Sequence, residues 1–540
     1  MDAVLAGLAN NFAPLNALLL GLGVLGGIVV GSLPGLTATM GLALLVPFTF
    51  AMRPETGLVM LGGLYVGAMY GDAIPASLIN TPGTPSAIAT SFDGYPLTRQ
   101  GKAQHALVAA AFSSMVGAVV GGVVLLTLSP PLAEASLRFG PPEYFWMAVF
   151  GLTIIGTLAS GSMWKGLAGG ALGLLISTVG IAPIGGDVRF TFGLASLQAG
   201  IDLIVALIGF FCLPQVFRMV EERHQRYQVA EYRERPGVVA EVVAELVGKP
   251  FLLIRSSIIG TVVGIVPGAG GNIASLISYN EAARWSGRPE QFGKGIIDGV
   301  AASESANNAV APGAMVPLLT LGIPGSPASA VILGALLLHG MRPGADLYSV
   351  HASVTYTFIW AMILAGFVTF GLGMVLSRYI ARIINVPINL LVPFIVFLSV
   401  IGSFAVRNNL LDVAVMLGFG ILGYVTEKLG LQPGPIVLGL ILGPIAEQGL
   451  VQSLLMGRAT GSLAAVFFTR PISIALILLS LVSAAWPVAS RWVARSRGGA
   501  GERVGSGGPG PAGPQRTSVA GLAVGGSTPS QREEVGRQDG

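Results

Sequence analysis

The run Asn80-Thr81-Pro82-Gly83-Thr84-Pro85 returns in the second half of the chain as Gly322-Ile323-Pro324-Gly325-Ser326-Pro327. These residue types suit a ligand site built from main chain. Glycine admits close backbone approach, proline removes a donor and fixes φ, and the hydroxyls of Thr84 and Ser326 offer oxygens. Helix N-termini aimed at such a site favour a carboxylate without a central lysine or arginine. A second pair of landmarks precedes the first at nearly the same offset: Gly31-Ser32-Leu33-Pro34-Gly35 with Thr37 returns as Gly264-Ile265-Val266-Pro267-Gly268 with Gly270 and Asn272. Polar residues flank both pairs. Ser86, Thr90 and Ser91 follow the first run, and Ser303-Glu304-Ser305-Ala306-Asn307-Asn308 leads into the second. Side-chain amides and a carboxylate there suit cation coordination or hydrogen bonding to a bound carboxylate. Asp72, inside the repeated block and shortly before Pro75, is a candidate proton or ion carrier together with Glu304. Intramembrane acids are costly and default to function. The position equivalent to Asp72 in the second half is Ala314, so the acid itself is not duplicated.

The elements that must hold these residues are membrane helices. Of 540 residues, 53% are apolar and only 10% charged, with a net charge of +4, and mean hydropathy is +0.75. A soluble chain carries about 25% charged residues, so a cytosolic enzyme or nucleic-acid binder is excluded as the default. The 77 glycines lie within apolar runs and have no G-X-Y period, which excludes collagen. Runs of roughly 20 apolar residues recur from about Phe12 to Val488, enough for about ten to twelve transmembrane helices. The stretch from Met1 to Leu20 contains no Lys or Arg, so it lacks the charged start of a cleaved signal, and the first apolar segment is expected to remain as a membrane helix.

The expected fold is an all-α polytopic membrane protein in two repeat-related halves, each with a Pro/Gly-broken re-entrant or discontinuous segment. Residues 1–218 form the first half and 251–490 the second. The hydrophilic stretch 219–250 links them, on the cytoplasmic side by the positive-inside rule, and 491–540 is a Gly/Pro-rich tail too polar to bury a core. Matched interruptions in two halves are the sequence sign of a secondary transporter. Asp202 and Glu447 are expected near span ends, in contact with water, and the lone Cys212 is expected to serve packing.

Other chemistry finds little support. No G-x-x-x-x-G-K-[ST] occurs, the four histidines show no metal spacing, and no G-x-S-x-G is present. Gly21-Leu22-Gly23-Val24-Leu25-Gly26 matches a dinucleotide fingerprint but lies inside a membrane run without a preceding βαβ unit. An intramembrane enzyme would need a convergent acid, base or nucleophile set, and His, Cys and paired acids are scarce. No cofactor is expected, and no metal beyond sodium.

From about Leu20 to Pro471 the sequence resembles the large permease subunit of the bacterial tripartite tricarboxylate transporters. The resemblance rests on Leu33-Pro34-Gly35-Leu36-Thr37, Asn80 to Pro85, Phe92-Asp93-Gly94-Tyr95-Pro96-Leu97, Gly264 to Asn272, Glu304 with Asn307-Asn308-Ala309, and Gly322 to Ser326. It implies a multi-pass permease of the bacterial inner membrane with about twelve helices. It also implies a small membrane subunit and a periplasmic solute-binding protein as partners, and ion-coupled uptake of citrate or another carboxylate. A stand-alone carboxylate exchanger or exporter is the alternative within the same class. Three departures stand out: an acid at Asp72, where the family usually has a small neutral residue; Ser303 where proline is frequent; and the tail after Arg497, which has no known family role.

Overall fold

The computed structural model describes residues 2–158, 163–221, 234–268, 270–376, 379, 384 and 386–498. The tail from 499 to 540, residues 222–233 of the expected linker and Ala269 of the second landmark lie outside the described residues.

The first seventeen helices run in order as α1 (Asp2–Asn11), α2 (Pro14–Ser32), α3 (Ala38–Thr49), α4 (Pro54–Gly71), α5 (Ala73–Ile79), α6 (Ile88–Arg99), α7 (Ala103–Ser136), α8 (Pro141–Leu158), α9 (Met163–Ser177), α10 (Leu203–Glu221), α11 (Val238–Val247), α12 (Pro250–Ile265), α13 (Gly270–Trp285), α14 (Ile297–Leu321), α15 (Pro327–Leu338), α16 (Ala345–Ser349) and α17 (Ala352–Leu376). Then come α18 (Ile388–Arg407), α19 (Leu410–Lys428), α20 (Pro433–Thr460), α21 (Leu463–Phe468) and α22 (Pro471–Gly498). A two-residue antiparallel hairpin, β1 (Gly180–Ile181) with β2 (Val188–Arg189), joins α9 to α10.

Proline opens α2, α4, α12, α15 and α20, where its missing N–H has no intrahelical partner to lose. By length and composition eight helical segments among the described residues are able to cross a membrane, or nine if α11 and α12, bent by 78°, count as one span. Shorter apolar helices, among them α3, α9 and α15, supplement them. The protein is thus an all-α polytopic membrane protein. Residues 1–487 form one compact unit, so the two expected halves share a single core. The expected linker is more ordered than its polarity implies: α11 lies within it and buries Val238, Val242 and Leu246.

The centre is held by close helix contacts at glycine. α2 packs on α4 and α12 on α14. A methyl group on Gly71 would lie 2.7 Å from the carbonyl oxygen of Ile28, and one on Gly313 2.6 Å from that of Thr261. Gly27 and Gly31 abut the carbonyls of Leu64 and Ala68; Gly260 and Gly264 abut those of Ala306 and Val310. Each first-half contact maps onto its second-half counterpart by the same offsets that relate the Pro/Gly landmarks. Small residues permit this approach where no hydrophobic force separates helix from lipid.

These contacts also set direction. α2 and α4 advance together from a face where Thr56 donates to Asn16 at 2.8 Å. α17 begins at that face, with Asn10 donating to Ser353 and Thr357, both at 3.2 Å. α7 begins at the opposite face, where Gln104 accepts from the Arg235 N–H at 2.8 Å, and α12 and α14 advance together from there. α4 and α14 therefore run in opposite senses. α14 is enclosed along nearly its whole length, with every residue from Gly299 to Thr320 buried.

Candidate functional site

Helix α4 gives way to α5 at Asp72, whose main chain continues in αR conformation. α5 ends at Asn80, in the left-handed region at φ 54°. The chain then turns through Pro82 and Gly83 and restarts at Thr84, so the hydroxyls of Thr84 and Ser86 return to the Asp72 carboxylate. Thr84 Oγ1 donates to Asp72 Oδ2, and Ser86 Oγ donates to the same oxygen at 3.0 Å. Gly83 makes the return possible, because a methyl group there would lie 2.6 Å from the Gly31 carbonyl and 3.1 Å from the Asp72 Cβ.

The other wall comes from α14. Asn307 Nδ2 donates to the Met69 carbonyl at 3.0 Å and to Asp72 Oδ1 at 3.3 Å. One turn earlier on α14, Glu304 accepts from Thr90 through Oε1 and from Ser114 at 3.1 Å through Oε2, with Asn307 as a close neighbour. Thr90 also meets Ser303 at 2.9 Å. Asp72, Glu304, Ser303 and Asn307 are all 0% exposed. Neither acid forms an ion pair with Lys, Arg or His among the described residues. The carbonyl oxygens of the Asn307 and Asn308 side chains are buried without a donor.

α13 closes the cluster. Its Ser275 donates to the Ser86 carbonyl at 2.7 Å, and a methyl group on Gly271 would lie 2.7 Å from Asn307 Oδ1 and 2.8 Å from the Ser86 Cβ. Two buried carboxylates, the hydroxyls of Thr84, Ser86 and Thr90, and the Asn307 amide thus share one oxygen-rich volume between the first broken segment and α14. Such a donor set suits a hard cation or a proton.

The remaining expected residues do other work. Asn80 is exposed and caps α5, and Thr81 donates its N–H to the Pro75 carbonyl at 3.3 Å. Thr37 caps α3, accepting from the Met40 N–H at 3.2 Å. Pro34 and Gly35 form the turn between α2 and α3, with Gly35 at φ 87° facing Gln215. Pro267 is buried in the matching turn, and Gly268 donates its N–H to the Gly325 carbonyl at 3.0 Å. Gly270 has φ 66°, and the exposed Asn272 folds back on it. Asn308 donates to the Val66 carbonyl at 3.3 Å, and Gly322 ends α14 at φ 74°. Ser326 heads α15 in a capping box with Ser329 and meets Tyr65 Oη at 3.0 Å. Asp202 caps α10 through the Ile204 N–H at 2.8 Å. Glu447 lies within α20 and pairs with Arg189.

Two participants carried no sequence signal that singled them out, and a third, Asp93, was marked only as part of the Phe92–Leu97 motif. Ser114 lies in an unremarkable small-residue run of α7. Tyr65 stands 242 positions before Asn307, the same offset that separates Pro82 from Pro324. Asp93, completely buried, accepts from Tyr279 at 2.9 Å and from the Gly295 and Ile296 N–H groups at 2.8 and 3.1 Å, which ties α6 to the start of α14.

The family model described as the tripartite tricarboxylate transporter TctA family matches residues 17–438. A protein of Agrobacterium vitis, described as an uncharacterized 52.8 kDa protein in the TAR-I ttuC' 3'region, is 37% identical over 475 residues, covering 88% of this chain and 93% of the relative. A second from the same organism, described by its place in the TAR-II ttuC' 3'region, is 38% identical over 223 residues, 41% of this chain and 91% of that protein. No solved structure matches.

Proposed function

This chain belongs to the tripartite tricarboxylate transporter TctA family, and on that premise we propose that it is the permease subunit of a binding-protein-dependent secondary transporter of the bacterial inner membrane. It imports tricarboxylates or related carboxylates, driven by sodium or a proton, and works with a small membrane subunit and a periplasmic solute-binding protein. The two halves are an inverted duplication, as the opposite senses of α4 and α14 and the shared offsets of their glycine contacts support.

The observation that carries the coupling assignment is the pair of buried acids, Asp72 and Glu304, that have Asn307 as a common neighbour. Two ionised carboxylates sealed from water with no basic partner are strongly unfavourable, because hydroxyl and amide donors do not neutralise charge. A sodium ion or proton held among Asp72, Glu304, Thr84, Ser86, Thr90 and Asn307 removes that cost. Release of the cation restores it, which ties occupancy to the arrangement of the first broken segment. A carboxylate substrate then approaches a site whose negative charge the cation has reduced, and electrostatics favours binding of the two together.

Uptake into proteoliposomes tests the reading. Labelled citrate and other carboxylates are supplied with and without the periplasmic binding protein, under an imposed sodium or proton gradient. Gradient-driven uptake that requires the binding protein is expected. Uptake indifferent to both gradients overturns the coupling, and full uptake without the binding protein favours the stand-alone exchanger.

A further inference from the structure

A cavity of about 680 Å³ opens beside the end of α14, at Gly322, on the face opposite α11. With the linker side cytoplasmic, this is the outer face. We infer that the cavity is a receiving site for a carboxylate with an apolar body, anchored at its rim by Arg342; the inference rests on the reading of the chain as a carboxylate permease.

The volume is in the range of small-molecule sites, about 300–1,000 Å³. Its walls are apolar, with Leu333 and Leu337 of α15 facing Leu440 and Ile441 of α20. Beside the hydroxyls of Tyr144 and Ser177, its polar side chains are three: Arg342 after α15, and Gln448 and Gln452, one turn apart on α20. None of the three is engaged in a hydrogen bond or ion pair among the described residues. Of the neighbouring charges, Arg189 grips Glu447 through two hydrogen bonds of 2.7 and 3.1 Å, while Asp346, whose charge reaches Tyr144, has no ion pair among the described residues. Among the described residues, Arg342 is thus the uncommitted cation at this mouth.

The cover over the cavity is fixed. The Arg189–Glu447 pair pins the β1–β2 hairpin to α20, and Arg407 donates to the Gly200 carbonyl at 3.2 Å while holding Asp412. Gly200 and Ile201 line the cavity beneath. A pinned roof lowers the ordering cost of binding. A guanidinium at the mouth takes a carboxylate in bidentate fashion, the glutamines donate to its further oxygens, and the leucine and isoleucine walls take a ring or alkyl body. This geometry favours phthalate over citrate, whose three carboxylates and hydroxyl leave only two methylene groups for the walls.

Binding of labelled phthalate and citrate to the full chain in nanodiscs tests the inference, alongside proteoliposome uptake of both. Saturable phthalate binding is expected, about tenfold weaker in Arg342→Gln, in the range for loss of a charge-assisted contact, and partly restored in Arg342→Lys. Leu337→Trp fills the cavity and is expected to weaken phthalate binding as well, with both variants folded by thermal unfolding. Binding that is absent from the wild type, unchanged in Arg342→Gln and Leu337→Trp, or equal for the two probes overturns the inference. So does an anionic phospholipid that co-purifies with the wild type and is lost in Arg342→Gln while phthalate binding is unchanged, since the cavity is then a lipid seat. Wild-type uptake reads the permease assignment separately: uptake with unchanged binding in the variants sinks only the cavity.

Discussion

Gly83 packs so tightly on the Gly31 carbonyl that a methyl group added to it would lie 2.6 Å from that oxygen. Gly325 repeats the relation with the Gly264 carbonyl, at 2.5 Å. The neighbouring atom in both cases is backbone, which has no rotamer to escape into. Valine at either position is expected to abolish carboxylate uptake while the protein still inserts. Alanine is expected to cost about 1–3 kcal/mol of stability through overpacking. Proteoliposome uptake and thermal unfolding in detergent provide the readouts, and normal uptake by both valine variants would sink the assignment of the broken segments to the site.

Neutralising one of the buried acids separates stability from coupling. Asp72→Asn keeps the size of the side chain but removes a charge that no basic group balances. In buffer free of the coupling ion, this variant is expected to unfold at a higher temperature than the wild type, since burying an unpaired carboxylate costs several kcal/mol, roughly 3–5. The wild type is expected to gain stability as the ion is added, by about 2.7 kcal/mol at a hundredfold excess over its dissociation constant. Asp72→Asn and Glu304→Gln are expected to lose most of that gain and to lose gradient-driven uptake. Unfolding temperatures measured against sodium concentration at fixed pH, and against pH without sodium, identify the ion. Wild-type ion response and uptake in both variants would rule out the acid pair as the coupling site.

The sequence alone located the broken segments and the acid beside the first of them. Proline and glycine are local signals, and their repetition at fixed offsets survives without knowledge of the packing. It did not distinguish which polar flanks face inward. Asn80 and Asn272 resemble ligand amides in the sequence, yet both are exposed and serve the turns, Asn80 by taking the left-handed φ of 54° that ends α5. Ser114 was invisible for the opposite reason. It is a small residue in a small-residue helix, and only the approach of α7 to α14, through Gly117 against the Ser305 carbonyl, brings its hydroxyl to Glu304. The burial of α11 was likewise hidden, since its charged residues raise the polarity of the segment while its valines at helical spacing face α7 and α12.

In the proposed duplication Tyr65 and Asn307, 242 positions apart, correspond, and mutation separates their roles. Asn307 reaches Asp72, and Tyr65 reaches Ser326. Where Asn307 meets a carboxylate, Tyr65 meets a hydroxyl, because Ala314 stands at the position equivalent to Asp72. Ser326 also accepts from the Ser329 N–H at 3.1 Å, so Tyr65→Phe leaves it with a partner and is expected to cost about 1 kcal/mol, the net worth of one hydrogen bond. Uptake by that variant is expected to stay within about twofold of wild type, since the lost energy is small and lies away from the two acids. Asn307→Ala removes the donor shared by Asp72 and the Met69 carbonyl, and is expected to abolish the ion response while costing about 2 kcal/mol or more. Paired unfolding and uptake measurements decide the matter: if Tyr65→Phe damages ion response as severely as Asn307→Ala, the coupling cation is not confined to the acid-bearing side.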